Sequence, residues 1–90
     1  MQAIRMTVEG DVQGVGFRAS AAATARRLGL VGWCRNLPDG TVELFAQGRA
    51  ADLDELRTFL WHGPSFARVR SCRERPAALD SNLEGFVIRS

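Results

Sequence analysis

Three glycines in a short span, Gly10, Gly14 and Gly16, separate a stretch that alternates apolar and polar from one dominated by alanine. Before them, Ile4, Met6 and Val8 point one way while Arg5, Thr7 and Glu9 point the other, the period-two mark of a strand over residues 2–9 with one wet face. After them, Ala19 to Leu28 has the composition of a helix, and Arg26 and Arg27 stand where they complement the negative end of its dipole. Gly29 offers a left-handed cap, and Leu30 the apolar contact that follows one. A chain built this way turns from strand into helix through a glycine loop. That opening unit constrains everything after it.

The remaining punctuation is clear. Val31 to Leu37 and Thr41 to Gln47 read as strands, joined through Pro38-Asp39-Gly40, whose residue types favour a tight hairpin turn. Asp52 to His62 reads as a helix, with Asp52 as its cap and Glu55 completing a capping box. Leu53, Leu56 and Leu60 give it one apolar stripe, joined by Phe59, and Gly63-Pro64 ends it. Val69 anchors a fourth strand over 66–74, and after a loop from Pro76 to Asn82 a short strand closes the chain at Gly85 to Ile88. Strand–helix–strand–strand–helix–strand, with a short strand appended, predicts an α+β sandwich of the ferredoxin-like type. Two helices pack on one face of a mostly antiparallel, four- to five-stranded sheet. The fold hosts many functions, so a site must decide among them.

A chain of 90 residues has room for one domain, here 1–90, and at 46% hydrophobic and 24% charged it sits far from the composition of disorder. No apolar run is long enough to span a bilayer, and Met1 to Gly10 does not read as a signal peptide, so a cytoplasmic protein with no membrane partner is expected. A net charge of +2 is too weak to argue for nucleic acid, and all the basic residues are arginine, which fits genome composition. Cys34 and Cys72 lie far apart, there is one histidine, His62, and no CxxC, so neither a metal site nor a disulfide framework is expected.

Two segments carry chemistry. In Gly10-Asp11-Val12-Gln13-Gly14-Val15-Gly16-Phe17-Arg18, glycines let successive backbone N–H groups converge at a helix start, and Arg18 adds a planar, permanently charged donor fork. Such a loop suits a phosphate or a carboxylate. It lacks the Lys-Ser/Thr of a Walker A loop, and Ala19 stands where a dinucleotide fingerprint needs glycine. Taken alone, it is also what a plain glycine turn before a surface arginine looks like. The second segment is Gly32-Trp33-Cys34-Arg35-Asn36-Leu37-Pro38-Asp39-Gly40. Asn36 either starts the turn or holds a water with an amide that both donates and accepts. Trp33 and Trp61 read as core or partly buried packing residues, and Cys34 as a small strand hydrophobe, not a nucleophile.

Together the two segments resemble the two signatures of the acylphosphatase family. Val8 to Arg18 is similar to the first. Gly32-Trp33-Cys34-Arg35-Asn36, followed by Gly40, Val42 and Gly48, is similar to the second. Leu28-Gly29-Leu30, Gly63-Pro64, Phe66-Ala67-Arg68-Val69 and Gly85-Phe86-Val87-Ile88 also fall where the family has them, so the likeness covers nearly the whole chain. Two departures stand out: Ala19 where a bulkier side chain often follows the arginine, and Cys34 in place of the commoner valine. The resemblance implies hydrolysis of acyl phosphates to carboxylate and inorganic phosphate. It also implies that Gln13, Gly14, Val15, Gly16, Phe17 and Arg18 bind the phosphoryl group and that Asn36 positions the water. No cofactor or metal is implied. Inorganic phosphate is expected as product and inhibitor, and the enzyme as a monomer. The other classes weighed are a catalytically silent anion-binding module of the same fold and a nucleic-acid-binding ferredoxin-like domain. Against the second, no strand of this chain carries the aromatic-rich pattern that stacks bases, and tyrosine is absent.

Overall fold

A computed structural model describes residues 1–90. Its elements, in chain order, are β1 (Gln2–Asp11), α1 (Phe17–Arg27), β2 (Val31–Asn36), β3 (Val42–Gly48), α2 (Ala50–His62), β4 (Arg68–Pro76) and β5 (Phe86–Arg89). The strands form one sheet in the order β4-β1-β3-β2-β5, antiparallel except where β5 runs parallel to β2. Helix α1 connects β1 to β2 across the intervening β3, and α2 connects β3 to β4 across β1. This is the expected ferredoxin-like α+β sandwich. No helix is long and apolar enough to cross a membrane.

The alternation in β1 decides which face is covered. Ile4, Met6 and Val8 pair with Ala46, Leu44 and Val42 of β3, and this face lies against Phe17, Ala21, Ala22 and Ala25 of α1 and Leu53, Leu56 and Leu60 of α2 in one buried cluster. Burying such side chains stabilises by about 1.5–3 kcal/mol each. Small alanines on α1 bring that helix close to the sheet. The other face carries Ala3, Trp33 and Phe45, partly covered by Ala77 and Leu83.

Several boundaries differ from the sequence expectation. Helix α1 begins at Phe17, not Ala19, because the buried Phe17 ring seats the first turn in the core. Its far end does as expected. Leu30 N–H donates to Ala25 O and Gly29 N–H to Arg26 O around a Gly29 with φ 72°, and Leu30 is buried. Helix α2 begins at Ala50, with Arg49 as the flanking residue and no side-chain cap, so the Asp52–Glu55 capping box does not form. The Arg49 carbonyl takes the first bonds, from Asp52 and Leu53 N–H, leaving Asp52 inside the first turn. Trp61 is 52% exposed, because it follows Leu60 and so points about 100° away from the Leu stripe. Strand β4 starts at Arg68, not 66, since Ala67 N–H donates to Pro64 O in a turn that leaves Phe66 outside. Leu37 and Thr41 belong to the β2–β3 turn and not to the strands. Both cysteines are free thiols.

Candidate active site

Strands β1 and β2 both run antiparallel to β3, and β5 runs parallel to β2, so the C-terminal ends of β1, β2 and β5 emerge at one edge of the sheet. The glycine loop with Arg18, and Asn36, lie at that edge. Between Glu9 and Gly10 the β1–β4 register slips, and Gly10 takes φ 138° with no room for a side chain against the Arg68 carbonyl. The bulge shifts the register of the last two pairs, Gly10 with Val69 and Asp11 with Arg68, just ahead of the loop. Gly14 and Gly16 then take φ 76° and 78°, conformations that side chains other than glycine adopt at a cost. Between them they reverse the chain and set Gly16 as the residue before α1.

The loop leaves its donors free. The backbone N–H groups of residues 13–16 make no hydrogen bond within the chain, and no side chain caps the start of α1. The first turn of α1 contains no acidic residue. Positive potential from the helix end is therefore not neutralised locally. Arg18 sits in that turn, forms no salt bridge, and donates from Nη1 to the Arg89 carbonyl at 3.1 Å.

Asn36 is the last residue of β2 and pairs with Val42. It shares the helix-covered face with Cys34, whose thiol donates to the Arg18 carbonyl at 3.7 Å. Asn36 Oδ1 is buried and accepts no hydrogen bond, and it is the sole such side-chain atom in the structure. An acceptor in that state costs on the order of 1–3 kcal/mol unless a water or ligand reaches it. A cleft of about 170 Å³ opens here, lined by Val12, Gly14, Gly16, Phe17, Arg18, Ala19, Asn36 and Ile88. Four larger hollows lie elsewhere, among them one beside the N-terminus and one under the 77–82 loop, but none is lined by the glycine loop or by Asn36.

The structure thus brings Gly14, Gly16, Phe17, Arg18 and Asn36 to one cleft. Val15 does not line it and packs on the core, while the Gln13 side chain is turned to the β2–β3 turn. Sequence reasoning missed Ile88 and the Arg89 carbonyl. Only the parallel β2–β5 pairing brings them here, and no local signal announces it. Cys34 is no nucleophile: burial pushes its thiol up to about 11, with Arg18 and Arg26 only partly offsetting this.

A family model described as acylphosphatase matches residues 4–88. The chain belongs to the acylphosphatase family. It is 46% identical over 88 residues to an acylphosphatase of Methylococcus capsulatus, covering 98% of this chain and 96% of that one. It is 49% identical over 87 residues to an acylphosphatase of Xanthomonas oryzae pv. oryzae, covering 97% and 98%. Among solved structures, the acylphosphatase from Bacillus subtilis superposes with a TM-score of 0.94 at 31% identity, covering all of both chains. That from Coxiella burnetii gives 0.92 at 38% identity, covering 98% and 92%. The acylphosphatase fold accounts for the appended strand β5 as well as for the two βαβ halves.

Proposed function

We propose that this acylphosphatase family member hydrolyses acyl phosphates, the mixed anhydrides of a carboxylic acid and phosphoric acid, in the cleft between the 13–18 loop and Asn36. The observation that carries the reading is that one cleft is lined by both Arg18 and Asn36, beside loop amides that are free and with Asn36 Oδ1 buried and unpartnered. Those amides, the α1 N-terminus and the guanidinium hold the phosphoryl oxygens. The Asn36 side-chain amide hydrogen-bonds a water and aims its oxygen at phosphorus. As the new P–O bond forms, the bond to the acyl oxygen breaks. The carboxylate leaves with the electron pair, and the phosphate oxygens take the water's proton. A carboxylate leaves readily, so positioning and charge stabilisation suffice without a strong protein base.

The cleft is complete within one chain, which supports a monomer. Its lining offers no carboxylate, thiol or imidazole, which supports a reaction without a metal. Two free thiols fit a cytoplasmic setting. Phosphate release from an aromatic acyl phosphate, measured on the purified protein, tests the reading. Turnover that inorganic phosphate inhibits is the expected result. Saturable phosphate binding without turnover would point instead to a silent anion-binding module.

A further inference from the structure

We infer that Gln13 is a positioning residue for this reaction, holding the phosphate loop against the end of β2 so that phosphoryl group and attacking water meet in line. The inference rests on the catalytic reading above. Gln13 Nε2 donates both its hydrogens, to Leu37 O and to Thr41 O, each at 2.8 Å. Those two carbonyls form the neck of the β2–β3 turn. Thr41 O already accepts from Leu37 N–H at 2.9 Å, and Leu37 O from Gly40 N–H at 3.2 Å. Asp39 stiffens the same turn, its Oδ1 accepting from Thr41 N–H at 3.0 Å and from the Thr41 hydroxyl at 2.6 Å. The amide of Gln13 is thus seated in a rigid neck whose first residue follows Asn36 directly.

No other side-chain hydrogen bond joins residues 12–16 to the rest of the molecule. The N–H groups of residues 13–16 are themselves free, so the loop is not tied down by its own backbone donors. Gln13 does not line the cleft, and both side-chain donors are occupied, so its side chain, unlike its backbone N–H, acts on substrate only through the elements it joins. One of those elements binds the phosphoryl group and the other carries the residue that holds water. Their separation is the in-line distance. The side chain must reach the neck, stay neutral and donate twice, and glutamine meets all three conditions.

Gln13→Met keeps the shape and removes both donors. It is assayed with Asn36→Ala and the double variant, alongside circular dichroism to confirm folding. A misplacement of about 1 Å costs up to roughly 10²-fold in rate, so kcat of Gln13→Met should fall by about 10- to 10²-fold. Inhibition by inorganic phosphate should stay within about 3-fold of the parent, because the loop still wraps the anion. The double variant should be no slower than Asn36→Ala, since Gln13 acts through the water that Asn36 holds. A penalty that multiplies in the double variant would reduce Gln13 to general support. So would a parallel loss of phosphate affinity. Parent-like kcat in Gln13→Met ends the inference outright, as does an active parent whose Asn36→Ala variant is unimpaired. A parent that releases no phosphate from acyl phosphate instead overturns the catalytic reading itself. Gln13→Glu provides a second, shape-conserving probe. Its carboxylate faces two carbonyl oxygens at neutral pH, and protonation returns one O–H donor. Its kcat relative to the parent should therefore rise as pH falls, and a flat ratio counts against the strut.

Discussion

The arginine cluster on the open face of the sheet and the single arginine at the cleft are used in opposite ways. On the open face of the sheet, Arg5, Arg35 and Arg89 stand 5.3, 5.2 and 4.8 Å from the centre of the Trp33 ring, which itself stacks on Phe45. Buried Glu43 accepts from Arg35 Nε at 2.8 Å and lies 2.7 Å from its Nη2, with Arg5 at 3.7 Å. Those cations are held by the protein's own carboxylate and rings. Arg18 has no carboxylate partner, gives one hydrogen bond to the Arg89 carbonyl, and borders a cleft whose amides are also free. Guanidinium density does not mark a site. A site appears where the fold leaves donors without acceptors.

The strongest way to break the comparison is to remove Arg18 and an arginine of the open face in turn. Arg18→Ala should abolish measurable turnover and the competition by inorganic phosphate. Arg18→Lys should restore little, because lysine keeps the charge but not the planar fork. Arg35→Ala, by contrast, should leave kcat/KM within about 2-fold, with its cost appearing in stability. Comparable losses in both variants would mean that the open face shares in the chemistry. Next in size is Asn36→Ala, with kcat down by about 10²-fold or more and phosphate affinity little changed. Asn36→Asp should do no better, since the added carboxylate repels the phosphate. Titration of phosphate into each variant, beside turnover, separates water positioning from anion binding.

How far the sequence disclosed this depends on the range of the interactions involved. The alternation of Ile4, Met6 and Val8 and the stripe of Leu53, Leu56 and Leu60 are periodic and local, and they define the layers. The roles proposed for Arg18 and Asn36 rest on two motifs occurring together, since each alone also reads as an ordinary turn; the structure adds that both line one cleft. Helix starts were less legible. Phe17 and Ala50 begin their helices because of burial and the Arg49 carbonyl, neither of which a capping pattern encodes. The strut from Gln13 to Leu37 and Thr41 spans separations of 24 and 28 residues, and no sequence window contains both its ends.

Smaller effects fall on stability and sharpen the contrast from the other side. Glu43→Gln strips the carboxylate that both Arg5 and Arg35 share, and should cost about 1.5 kcal/mol while leaving kcat alone. Urea denaturation with parallel assays checks both halves of that statement. Alkali provides a further probe. Burial pushes the thiols of both Cys34 and Cys72 up to about 11 from an ordinary 9.0. The unfolded chain therefore gives up those protons first, and between these two values it binds fewer protons than the native state. Stability falls as pH rises through that window and is insensitive to these groups below it. Tm should drop from pH 8 to 10.5 in the parent and drop less in Cys34→Val. An equal drop in both would assign the alkaline loss elsewhere.

The smallest expected effect is none, and it bears most directly on what meets the phosphate charge. If the amides of the 13–16 loop, the α1 N-terminus and Arg18 together supply the positive field, a divalent cation has nothing left to neutralise. Nor has it a cage, since no three of the chain's His, Cys, Asp and Glu side chains come together. Many phosphoryl-transfer enzymes rely on a metal clamp for this charge, so the outcome discriminates. Turnover should be unchanged in excess EDTA and should not rise on adding magnesium or zinc. The assay is best run on the parent and on Arg18→Lys side by side. A chelator-sensitive parent, restored by metal, would show that free donors in the cleft are insufficient. A metal that rescues only Arg18→Lys would show instead that the guanidinium occupies the place a cation takes in other enzymes.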